Sequence, residues 1–147
     1  MSTVDPVDEA VLAHVYAAFA GFTKRCVVDN PDHCSECKDA DRFLTSLERD
    51  DLQLADTLCD LLSFASERGI LYFLPGICRI ALVERPYGLT RLIAVLRTWR
   101  PTFTSPEQIR ALTDFLEHFS AIGYADSDLQ RQELRQLQND LHKLQCA

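Results

Sequence analysis

Between Ile70 and Val83 the chain carries one charge, Arg79, in a run that is otherwise almost wholly apolar. A segment with so little polar surface must be the most deeply buried part of whatever fold forms, with other elements packed around it. It does not suit a membrane span, which needs roughly 20 uninterrupted apolar residues. The longest apolar stretch, Gly69 to Leu82, is interrupted by Pro75 and Arg79. Proline removes a backbone donor, so the segment is expected either to kink at Pro75 or to divide there into two short helices. Tyr72 and Phe73, just ahead of Leu74-Pro75, read as core side chains.

Everything else legible in the chain is helical too. A first helix is expected near Asp5-Pro6, with proline at its first position and Asp8 and Glu9 in its first turn. Val7, Val11, Leu12, Val15, Ala18, Phe19 and Phe22 form its broad apolar face. Asn30-Pro31-Asp32 marks a turn. A second helix opens around Ser35 and carries Phe43, Leu44 and Leu47, and a third runs from about Asp50 through Leu52, Leu54, Leu58, Leu61 and Leu62. Ser66-Glu67-Arg68-Gly69 breaks the pattern before the apolar segment. Pro86-Tyr87-Gly88 reads as a turn and Leu89 to Trp99 as the next helix. Thr104-Ser105-Pro106-Glu107-Gln108 is the clearest start signal: Ser105 caps, Pro106 suits the first position, and Gln108 completes an S-x-x-Q capping box. That helix carries Leu112, Phe115, Leu116 and Phe119, and a last one starts near Asp126 or Ser127. In it Leu134, Leu137, Leu141 and Leu144 make a narrow stripe, suited to docking on its own domain or to homodimerisation as a coiled coil. No strand alternation, Asn-Gly or Asp-Gly hairpin turn, or internal repeat is present. The expected fold is all-α: one domain over residues 1–147, with six to eight helices.

Charge narrows the partners. The net charge of −7 and pI of about 5.0 argue against a nucleic-acid binder, which needs clustered Lys and Arg. From Asp29 to Asp51 eight acids face Lys38, Arg42 and Arg49, whereas from Arg79 to Arg110 six arginines face Glu84 and Glu107. The chain is thus acidic early and basic late. Acid at Asp5, where a secretory signal would be basic, makes a cytoplasmic location the expectation, and there the six cysteines would be reduced thiols. Cys59 and Cys78 sit among Leu, Ile and Ala as small buried hydrophobes. Cys146 reads as an incidental exposed thiol.

The densest chemistry lies in His33-Cys34-Ser35-Glu36-Cys37. Cys-x2-Cys supplies two zinc ligands from a tight turn, and His33 and Cys26 are the candidates for a full set, although no second ligand pair follows. A redox dithiol would need the pair at a helix N-terminus, which the spacing suits. The usual βαβ context is absent, however, and Glu36 should oppose thiolate formation. The plain structural alternative is a capped loop-to-helix junction. Asp39 and Asp41 do not make an acid–base pair, because residues two apart on a helix point away from one another.

His33-Cys34-x-Glu36-Cys37 with Phe43-Leu44, then Tyr72-Phe73-Leu74-Pro75 leading into Arg79-Ile80-Ala81-Leu82, then Ser105 to Gln108 with Phe115-Leu116-Glu117, resembles a family of small bacterial proteins described only as a domain of unknown function. The likeness spans roughly Cys26 to Ile122. It implies one bacterial cytosolic domain and brings neither an activity nor a catalytic residue.

No G-x-S-x-G, H-E-x-x-H or Gly-rich phosphate loop occurs, and a non-enzymatic function is expected. The leading expectation is a binding protein, most concretely a cytosolic immunity protein or antitoxin that occludes a toxin. Glu36, Asp39, Asp41, Asp50 and Asp51 would meet a basic cleft. The alternative is a small zinc protein using His33, Cys34, Cys37 and Cys26. An enzyme would require a pocket in which dispersed groups such as His118, Tyr72 and the arginines converge.

Overall fold

The computed structural model describes residues 6–22, 28, 30–53, 65–84, 87–99, 105–122 and 127–145. Among them are six α-helices: α1 (Pro6–Ala18), α2 (Ser35–Ser46), α3 (Glu67–Val83), α4 (Tyr87–Trp99), α5 (Pro106–Ile122) and α6 (Asp128–Gln145). A 3-10 turn spans Arg49–Asp51. The described residues contain no sheet, only an isolated antiparallel bridge between Val28 and Ala65. The all-α expectation therefore holds. No described helix is long and apolar enough to cross a membrane.

The apolar run becomes the central helix. From Gly69 to Cys78 every residue of α3 is buried, and Ile70, Phe73, Leu74 and Ile77 are fully shut from solvent. Each such large side chain stabilises the fold by roughly 1.5–3 kcal/mol. The helix starts earlier than the sequence suggests. Ser66 is its N-cap, its hydroxyl accepting the Gly69 N–H at 3.0 Å, so the apparent break at Ser66 to Gly69 is a start signal. Pro75 lies inside α3 without dividing it.

Two glycines set how closely neighbours approach α3. Gly88, in the first turn of α4, lies so near that a Cβ would stand 2.4 Å from the Ile80 carbonyl oxygen and 2.8 Å from the Ala81 Cα. Tyr87-Gly88 is thus a helix start packed directly on its predecessor, while Pro86 lies outside the described residues. A Cβ on Gly76 would lie 2.4 Å from the Arg49 carbonyl oxygen, so the backbone of the 3-10 turn rests against α3. The third helix expected from Asp50 does not begin there. Leu52 has extended ψ, and residues 54–64 lie outside the described set.

Helix α1 packs antiparallel on α5, with Asp8 opposite His118 and His14 opposite Glu107 and Asp114. Val15 and Phe19 of this segment are fully buried and Val11, Leu12, Ala18 and Phe22 partly so, but Val7 is exposed. The His14 Nε2–H donates to Glu107 Oε1 at 2.7 Å. That bond, with the His14 and Arg110 charges, holds the Glu107 carboxyl below its ordinary range. A carboxylate depressed in the folded state adds stability above its unfolded pKa, and the contribution is lost as pH falls through the depressed value. Urea unfolding followed between neutral and acid pH should therefore show a shallower acid-side loss for His14→Ala than for the parent chain.

At the start of α5, Ser105 accepts from the Glu107 N–H at 3.2 Å. Gln108 is buried, and its Oε1 has no hydrogen-bond partner. The cap forms, but the reciprocal half of the expected capping box does not. Ser127 in turn caps α6 by accepting the Gln130 N–H at 3.2 Å. Leu134, Leu137 and Leu141 are buried and Leu144 packs against the same core. The leucine stripe docks within the molecule, where its helix packs on α5 and α4. Arg97 to Glu133 at 3.2 Å and Gln130 to Thr90 at 2.9 Å tie α6 to α4.

Candidate functional site at the start of the second helix

Helix α2 carries the Cys34-x-x-Cys37 pair at its start. It joins the core through Ala40 and Leu44, and among the described elements it makes no extended crossing with another helix. Cys34 is its N-cap. The Cys34 Sγ accepts the Cys37 N–H at 3.2 Å, and the two Sγ atoms are 2.9 Å apart. Cys34 is exposed and Cys37 half-buried, and both are free thiols. This pairing follows from the spacing: residue N3 of a helix presents its N–H to the cap side chain, and its own side chain rises on the same face.

The two thiols are pushed apart in acidity. The Cys34 thiol is lowered by a hydrogen bond from the Cys37 thiol first, and by the Cys37 and Glu36 backbone N–H groups. Cys37 is raised by giving up that bond, by burial and by the neighbouring Cys34 charge. Glu36 does oppose the Cys34 thiolate, as its position suggests, but it is the smallest of these influences. An exposed thiol whose pKa is lowered, beside a half-buried one, is an arrangement suited to thiol–disulfide exchange. Cys78, by contrast, is fully buried in α3, and burial alone drives its thiol far up.

Among the described residues no three His, Cys, Asp or Glu side chains converge as a metal site needs. His33, adjacent to Cys34, is exposed on the preceding turn. Cys26, the proposed fourth ligand, lies outside the described residues, as do Cys59 and Cys146.

The five acids expected on one face are also divided. On α2, Glu36, Asp39 and Phe43 follow one another at three and four residues and share a flank. All three are exposed, Phe43 by 38%. Asp41 is half-buried on the other flank, beside a shallow depression of about 370 Å³ lined with Pro31, Asp32, Lys38, Arg42 and Thr45. Asp50 and Asp51 stand exposed on the 3-10 turn, Asp50 at 3.7 Å from Arg49. The helix buries Ala40 and Leu44, which leaves the Phe43 ring on the acidic flank.

Tyr72 does meet an arginine, Arg49, but not in a pocket with His118. The Arg49 guanidinium lies 5.3 Å from the Tyr16 ring centroid and 5.6 Å from that of Tyr72. Tyr72 donates to Glu48 at 3.4 Å, and Arg79 donates to the Leu52 carbonyl at 2.6 Å. Burial pushes the Tyr16 phenol up, against the opposing influence of Arg79. The Arg49 Nη1 and Arg79 Nε are shut from solvent without hydrogen-bond partners; for Arg49 the aromatic faces supply part of the compensation. His118 is held elsewhere, against Asp8. The arginine–tyrosine cluster therefore works as a clamp between α1, α3 and the 3-10 turn. A larger open groove of about 870 Å³ runs along α6 beside Arg97 and includes Leu129, Glu133, Arg135 and Asp140.

No protein-family profile, curated protein or solved structure matches the chain.

Proposed function

We propose that this is a non-enzymatic binding protein whose partner docks on the exposed flank of α2. The observation that carries the proposal is Phe43, an aromatic ring left 38% exposed on α2 and flanked by the exposed carboxylates Asp39 and Glu36. A part-exposed aromatic flanked by charge of one sign has the make-up of an interface anchor with a steering rim. The partner it suits presents an apolar notch inside a basic surface. Asp50 and Asp51 extend the acidic character along the chain, whereas Asp41, on the Lys38 and Arg42 flank, is left out of the contact. In its most concrete form the protein is a bacterial, cytoplasmic immunity protein or antitoxin that covers a basic toxin cleft.

The test is capture with the parent chain, with Phe43→Ala and with Glu36→Lys/Asp39→Lys side by side. A basic protein held by the parent should dissociate roughly tenfold to a hundredfold faster from Phe43→Ala, as loss of an interface anchor costs about 2 kcal/mol. The double charge reversal should mainly slow association and abolish its salt dependence. Equal retention of that protein by all three chains would remove α2 as the docking face.

A further inference from the structure

We propose that Cys34 and Cys37 are a reversible redox pair that exchanges with small-molecule or protein disulfides, independently of any partner bound on the α2 flank. The observations are geometric. Two thiols from adjacent turns of one helix end stand 2.9 Å apart; the first is exposed and the second half-buried. The attacking sulfur is thus open to a bulky disulfide, while its neighbour waits within bonding reach and is harder for that disulfide to approach. The contrast within the chain is Cys78, which is fully buried and has no route to an oxidant. Neither Cys34 nor Cys37 belongs to the buried core, so closure of the pair displaces no core side chain.

The chemistry balances in two exchanges. The Cys34 thiolate, having released its proton to solvent, attacks one sulfur of R–S–S–R. A Cys34–S–R bond forms, and the other RS⁻ leaves and takes up a proton. Cys37 then loses its proton and attacks the Cys34 Sγ, expelling the second RS⁻, which is protonated in turn. The protein dithiol is oxidised by two electrons to a Cys34–Cys37 disulfide, and the oxidant is reduced to two thiols.

The experiment incubates the full reduced chain with oxidised glutathione and maps cysteine-containing peptides by mass spectrometry. The same is done for Cys34→Ser and Cys37→Ser, each checked for helix content by circular dichroism. In the parent chain, a disulfide between Cys34 and Cys37 should form and be reversed by excess dithiol. Cys37→Ser should stop at a glutathione adduct on Cys34. Cys34→Ser should acquire an adduct on Cys37 roughly tenfold or more slowly, since attack depends on access and thiolate fraction. Three results would overturn the proposal: Cys34 and Cys37 unmodified in the parent chain, Cys34 paired instead with Cys26, or equal adduct rates in the two serine variants. So would stoichiometric zinc, retained through purification without chelators, that protects both thiols. The parent-chain mapping decides the matter even if a serine variant folds poorly.

Discussion

Replacing His118 with leucine should cost about 3 kcal/mol of stability, although leucine is the better helix former and the site is largely buried. Asp8 and His118 face each other across the α1–α5 contact with side chains only 4% and 12% exposed, the imidazole Nε2 bonded to the Asp8 carboxylate. The leucine would take the imidazole from a carboxylate that stays enclosed, and a larger part of the desolvation cost of that group then falls on the fold. The helix preference it gains is only a few tenths of a kcal/mol, so the electrostatic loss decides the sign. The revealing comparison is the double variant Asp8→Ala/His118→Leu. Removing both members of a buried pair is often near neutral, so the double variant should recover most of the stability the single change removes. Urea unfolding of the parent, the two single variants and the double variant measures the coupling directly. A His118→Leu chain as stable as the parent would show that the pair contributes nothing to the α1–α5 contact.

The second large effect is expected at Gly76. By helix propensity alone, Gly76→Ala inside α3 should stabilise the chain by about 1 kcal/mol. Its new methyl, however, would lie 2.4 Å from the Arg49 carbonyl oxygen and 3.4 Å from a Leu52 methyl. The obstacle is backbone, and it is not free to retreat. The Arg49 guanidinium rests against Tyr16 and Tyr72, and the Leu52 carbonyl is held by Arg79 at 2.6 Å. Overpacking of this kind costs roughly 1–3 kcal/mol or somewhat more, so a net loss of about 2 kcal/mol is expected, a fall of roughly 4–8 °C in Tm. Gly21→Ala is the matched control, since a Cβ there meets nothing within 4 Å, and it should leave Tm nearly unchanged. A higher Tm for Gly76→Ala would mean that the 3-10 turn moves aside without cost.

Periodicity made the helices legible because each buries an apolar stripe whose spacing is written in consecutive residues. Pro6, Ser105-Pro106 and Ser127 marked starts that are used. The same local logic failed where one residue type serves two ends. Ser66 to Gly69 reads as a break, and only the bond from the Gly69 N–H to the Ser66 hydroxyl makes it a cap. Phe43-Leu44 presents two apolar side chains in succession. Which of them is buried depends on the rotation of α2 about its axis, and that is set by the surface beneath it.

The candidate site divides along the same line. The Cys34–Cys37 contact is a short-range consequence of a Cys-x-x-Cys at a helix start, and its residues and spacing can be read from the chain. The relative weight of Glu36 against the Cys37 thiol and the backbone N–H groups needed their actual geometry. Acids counted along the chain suggested one face, yet helical rotation puts Asp41 opposite Asp39, and Asp50 and Asp51 stand on the separate 3-10 turn.

Local order along the chain thus determines the helices, their caps, the dithiol and the burial of Ile70 to Val83, because each depends on residues within about two turns of one another. The partnership of Asp8 with His118, the stacking of Arg49 between Tyr16 and Tyr72, and the approach of the Arg49 backbone to Gly76 join residues far apart in the chain. No periodicity encodes them. They exist only once packed helices bring the two surfaces together and exclude the water between them.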